Sequence, residues 1–181
     1  PLMAAALAML ALAIPTTLAA LIDPRLFQGV DPWIKPLKFE ISIALYLATL
    51  ALFVPLTSER FRAGLAGRYL IWPVIVPLFL EVFYIGWRAS RLEASHYNAD
   101  DALGAALYTA MGIAAVMFTL APAVLAWGLA RRDAAALPAP LRLSLVGGLG
   151  LTTLLGLVSG FALGGSPTGH YVGTVPPAHA T

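Results

Sequence analysis

Five long apolar runs constrain this chain more than any other feature of its 181 residues. A helix needs roughly 20 apolar residues to cross a bilayer. The runs cover residues 2–22, 37–56, 69–87, 102–130 and 143–163. The expected fold class is all-α, a polytopic transmembrane bundle of about five membrane-spanning helices. The strict alternation of a membrane β-barrel is absent throughout. Composition agrees: 60% of the residues are apolar and 11% are charged, too few charges to cover a water-soluble surface.

The first run carries no charge and one internal proline, Pro15. A secretory signal is the competing reading, but the run is longer than a usual signal core and no basic segment precedes it, so a retained helix is expected. The linkers at 23–36, 57–68, 88–101 and 131–142 are short and polar, which leaves one membrane domain. The tail, 164–181, is rich in Gly and Pro and is expected to be irregular.

Orientation follows from Lys and Arg. Six of them (Arg60, Arg62, Arg68, Arg131, Arg132 and Arg142) fall on the side of the N-terminus. Five (Arg25, Lys35, Lys38, Arg88 and Arg91) fall on the other. The bias places the N-terminus in the cytoplasm and the tail outside. A net charge of +2, spread along the chain, argues against nucleic acid as a partner. The absence of cysteine excludes disulfides, thiolate chemistry and Cys-ligated metals.

Several residues are candidates for chemistry. Glu81 lies inside the third run, where a carboxylate is costly; Tyr84 and Arg88 follow it on nearly the same helix face. It reads as a proton carrier or ligand-orienting group, or as a hydrogen-bonded carboxyl that locks helices together. At the start of the second run, Lys35, Lys38, Ser42, Tyr46 and Thr49 share one helix face, with Glu40 pointing elsewhere. That stripe suits a head group or polar ligand, or else snorkelling lysines with hydroxyls bonded to backbone carbonyls.

The five-span topology puts His96, His170 and His179 on one side of the membrane with Glu93, Asp100 and Asp101. His96 and His170 are candidate metal or haem ligands, weighed against ordinary wet loop residues. In the fifth run, Gly148, Thr152, Gly156, Gly160 and Gly164 recur at every fourth position, a small-residue face for close helix packing. Such a face also accepts a flat lipid, pigment or quinone tail. Trp33, Tyr69, Trp72, Trp87 and Trp127 sit near run ends, as an interfacial aromatic belt requires.

Nucleotide-binding, serine-hydrolase and dinucleotide fingerprints are missing, and no lysine lies deep in a late run to carry retinal. No pair of broken, symmetric runs suggests a secondary transporter.

Three segments, Trp33-Ile34-Lys35-Pro36-Leu37-Lys38-Phe39, Ser95-His96-Tyr97-Asn98 and Gly169-His170-Tyr171-Val172-Gly173, resemble a family of uncharacterised bacterial multi-pass membrane proteins. The resemblance draws attention to Lys35, Lys38, His96 and His170, and the expected location is a bacterial inner membrane. It also implies further helices beyond the last segment in other members. It implies no activity and no particular cofactor. The leading functional expectation is an accessory or structural subunit of a larger membrane complex of respiratory or photosynthetic type, more a scaffold than an enzyme. A redox protein holding haem or metal on the outer histidines is the alternative, and a small proton-coupled transporter using Glu81 is the third. The expected partners are the lipid bilayer and other membrane subunits or a second copy.

Overall fold

The structure, a computed structural model, describes residues 1–93, 95, 102–131 and 137–164. Among them the chain forms an all-α bundle: α1 (Leu2–Ile22), α2 (Ile34–Phe53), α3 (Glu59–Ala63), α4 (Leu65–Tyr69), α5 (Trp72–Ser90), α6 (Ala102–Ala130) and α7 (Ala139–Gly164). Five segments are long and apolar enough to cross a membrane: Leu2–Ile22, Ile34–Leu56, Leu65–Ser90, Ala106–Ala130 and Ala139–Ala162.

Some helix boundaries differ from those read in the apolar runs. The second helix begins at Ile34 rather than 37, and the last at Ala139 rather than 143. In both, the first turn carries a proline (Pro36, Pro140) with a basic residue two positions after it (Lys38, Arg142). A first-turn proline sacrifices no helical hydrogen bond, because those N–H groups have no intrahelical acceptor. A hydropathy run therefore starts later than the helix does.

The linker at 57–68 is itself helical, in two short pieces. Ser58 caps α3 by accepting from the Phe61 N–H at 3.1 Å. Gly64 lies between α3 and α4, and Gly67 lets α4 fold back on α3: a Cβ there would stand 2.5 Å from the Arg62 Cα and carbonyl oxygen. This return drives the buried Phe61 ring onto α6, where Gly128 leaves room for it and Trp127 meets it edge-on at 5.7 Å.

The long helices pack in chain order. α1 lies along α2, α2 against α5, α5 against α6 and α6 along α7, with smaller α1–α5 and α2–α6 contacts. The core therefore runs through α2, the α4–α5 junction, α5 and the second half of α6, where Leu47, Leu70, Val74, Leu125 and Leu129 are fully buried. The outward faces of α1 and α7 expose Leu7, Ile14, Leu154 and Phe161, as lipid contact requires.

Two tyrosines, Tyr46 of α2 and Tyr69 of α4, fasten α6. Pro122 has no N–H to give the carbonyl of Phe118, four residues earlier. The Tyr46 hydroxyl donates to that carbonyl at 2.6 Å. The Tyr69 hydroxyl donates to the neighbouring carbonyl of Met117. In lipid no water can satisfy such a group, so the proline and the tyrosine are one device.

Candidate functional site: two buried carboxylates near one end of the bundle

The end where α1 meets α2 and α5 finishes carries most of the described charge pairs. The loop from α1 narrows to a two-residue turn closed by Phe27 and Val30, with Gln28 and Gly29 both at positive φ. That geometry suits a primed turn and needs a glycine at one of its centres. Before the turn, Asp23 accepts from Arg25 Nε at 2.8 Å and from Arg25 Nη2 at 2.7 Å. It also accepts from the indole N–H of Trp33 at 2.9 Å. The Arg25 bonds, then the Trp33 bond, hold the Asp23 carboxyl well below the usual carboxylate range. Arg25 also reaches the Ser90 carbonyl at the end of α5, at 3.3 Å, and so ties the loop to that helix.

α5 ends in a Schellman motif. The Leu92 N–H bonds the Ala89 carbonyl and the Glu93 N–H bonds the Arg88 carbonyl, with Leu92 at φ 57°. The reversal brings the Glu93 carboxylate back over the helix end. Arg88 Nη1 meets it at 2.5 Å and Arg91 Nε at 3.0 Å. Both guanidiniums lie over the Trp87 ring, and that of Arg88 also over Tyr84. The same reversal carries Ser95 back towards α2, where Lys35 Nζ donates to its hydroxyl at 2.6 Å.

Below this cap lies Glu81, 7% exposed. It is nine residues before the last residue of α5, about 13 Å along the axis. Lys35 is close enough to feel its charge. Sequence spacing directs attention to Arg88 on Glu81's own helix; the structure adds Lys35 from α2, which the stripe in the sequence offers either to an external ligand or as a snorkelling lysine.

Glu40 is the second buried carboxylate, 4% exposed. It faces α1, as its offset from the lysine stripe implies. Thr16 of α1 and Glu40 of α2 each lie six residues from the hairpin end of their helix, so the antiparallel register sets them level. The Thr16 hydroxyl and Glu40 Oε1 are 2.7 Å apart, and Oε2 is buried without a hydrogen-bond partner. Thr16 follows Pro15, and its hydroxyl also bonds the Leu12 carbonyl at 3.1 Å. In the sequence Glu40, like Glu81 and Lys38, is an intramembrane polar residue, and it lies off the lysine stripe; its burial in the α1–α2 interface is visible only once the register is known.

The rest of the stripe disperses. Lys38 and Ser42 are exposed, Tyr46 serves the Pro122 device, and Thr49 donates to the Leu45 carbonyl of its own helix at 2.8 Å. Two shallow apolar grooves flank α6, one at Tyr108, Gly112 and Val116 and one at Tyr69, Leu120 and Trp127. Neither is lined by Lys38 or Ser42.

On α7, the face turned towards α6 is Leu145, Leu149, Thr153 and Gly156, not the whole small-residue stripe. A Cβ on Gly156 would sit 3.0 Å from the Thr119 methyl, whereas one on Gly148 or Gly160 would meet nothing within 4 Å. Thr152, on the same open face, is exposed and turns its hydroxyl to the Gly148 carbonyl.

His96, His170, His179, Asp100 and Asp101 lie outside the described residues, as does the tail beyond Gly164. Among the described residues no group of three His, Asp or Glu side chains is placed to hold a metal. Comparison with family models, with curated proteins and with solved structures finds no match to this chain.

Proposed function

We propose that the chain is an accessory or structural subunit of a larger membrane assembly, of respiratory or photosynthetic type in a bacterial inner membrane, with its N-terminus in the cytoplasm. The observation that carries this reading is the open small-residue ridge of α7. Its one extensive neighbour among the described helices is α6, and of the described positions Gly148, Thr152, Gly156 and Gly160 that contact uses Gly156. A glycine inside a helix costs about 1 kcal/mol relative to alanine. In lipid, that cost is offset when another helix packs closely on the bare backbone. Gly148, Thr152 and Gly160 offer such a surface to a helix of another subunit.

The test is the mass of the particle extracted from native membranes in a mild detergent. A large particle containing other proteins is expected, and Gly148→Leu with Gly160→Leu should release this chain from it. Both substitutions enter open space, so the bundle itself should survive them. A particle holding this chain alone sinks the reading.

The Lys35–Glu81–Ser95 cluster supports a second reading, in which the same end of the bundle receives a polar ligand or passes protons. Unchanged proton-dependent behaviour in Glu81→Gln would remove its basis.

A further inference from the structure

Glu40 stands apart from the charge pairs around it. The α1 helix against which it packs contains no Asp, Glu, Lys, Arg or His. On its own helix, Lys35 turns to Ser95 and Lys38 is exposed. From α5, Glu81 is within electrostatic reach of Lys35, and Arg88 is bonded to Glu93. The described part of α6 brings no charged residue. No charged side chain acts on Glu40 among the described residues; the group at its carboxyl is the Thr16 hydroxyl.

Proton counting then limits the arrangement. A threonine hydroxyl has one proton to donate and lone pairs to accept with. The Thr16 oxygen lies within bonding distance of two oxygens that are ordinarily acceptors, the Leu12 carbonyl and Glu40 Oε1. One proton can be shared between the two acceptors only as a weaker three-centre bond; both contacts are full hydrogen bonds at once when one partner supplies a second proton. The Leu12 carbonyl cannot; a carboxylic acid can. An ionised carboxylate buried in lipid with no cation beside it would also carry a severe desolvation cost, and an acid does not.

We propose that Glu40 is a proton-binding site within the membrane: its carboxyl holds a proton at neutral pH and donates it to Thr16 Oγ1, which donates in turn to the Leu12 carbonyl. The bound ligand is the proton. A neutral acid buried in lipid is also the form that adds to a hydrophobic carbodiimide. In that reaction the acid proton moves to a carbodiimide nitrogen while the carboxyl oxygen bonds the central carbon. The acyl group then shifts from oxygen to nitrogen, giving a stable N-acylurea with nothing released, oxidised or reduced.

The test uses the full chain in lipid at pH 7, with two readouts. Infrared spectra should contain a protonated-carboxyl C=O band that Glu40→Gln abolishes. With the acceptor removed in Thr16→Val, the band should move to higher frequency. Dicyclohexylcarbodiimide should add the mass of one reagent molecule to the peptide containing Glu40, and Glu40→Gln should carry none. A carboxyl band unchanged by Glu40→Gln overturns the proposal, and so does an unmodified Glu40 peptide. A band that does not move in Thr16→Val overturns the relay to threonine. Should Glu40→Gln fail to fold, the Thr16→Val spectrum and the labelling of the wild-type chain decide.

Discussion

Where α2 turns into α3 and α4, the chain is fastened by close fit: Phe61 seated on Gly128, and Gly67 against the Arg62 backbone. At the opposite end it is fastened by charged groups: Asp23 with Arg25, Lys35 with Ser95, Glu93 with Arg88 and Arg91. Both ends solve the same problem, returning a chain to the membrane without stranding its polar groups. The difference lies in what can disturb them. Packing has no partner to screen and little room to give. Ion pairs near water weaken as salt rises.

The largest effect that would break this comparison is at the packed end. Gly67→Leu places a side chain where backbone atoms already stand, and α4 cannot fold back without moving. We expect a loss of about 3 kcal/mol in mixed-micelle unfolding, nearly independent of salt. A tolerated leucine would show that this end is looser than its geometry.

A smaller loss is expected at the charged end. Lys35→Met removes the cation beside Glu81 and the donor to Ser95. Because Lys35 is exposed overall, the loss is about 1–2 kcal/mol, well below that for a fully buried pair. It should shrink as ionic strength rises. Equal stability of variant and wild type at low salt would remove Lys35 from the list of fastenings.

The smallest effect sharpens the comparison through pH. The folded-state Asp23 carboxyl titrates below its unfolded value, so its contribution is fully present above the ordinary carboxylate range. That contribution is lost as pH falls through the depressed folded value. Titration of the Asp23 carboxyl by NMR in detergent should show it still ionised at about pH 3.9, where an unperturbed aspartate is half protonated. Trp33→Phe should bring the midpoint part of the way back, and an ordinary midpoint in the wild type would dissolve the anchor.

Much of this molecule was legible in its residues, because apolar length in lipid is a nearly sufficient signal for a spanning helix. The helix starts were less so: Lys35 and Arg142 lie inside helices that hydropathy alone begins after them. The partners of polar residues were the least legible. Tyr46 shares a stripe with Lys38 in sequence, yet its hydroxyl answers Pro122, a residue 76 positions away whose missing N–H leaves a carbonyl to satisfy. Glu40 was legible as an intramembrane polar residue, but not its partner, because its setting depends on the antiparallel register of α1 and α2. The repeat on α7 was plain as a pattern, but the pattern could not say that α6 would take only Gly156.

Packing in chain order has a consequence for how the protein is made. Each long helix finds a principal neighbour in the one synthesised just before it: α2 on α1, α5 on α2, α6 on α5, α7 on α6. A chain leaving the ribosome can therefore assemble as it enters the bilayer, each new segment docking on a surface already in place. Contacts between near neighbours in sequence favour fast assembly and short exposure of unpaired surfaces. Glu40 and Thr16 both belong to the first hairpin, so their contact can form before α5, α6 or α7 has been made.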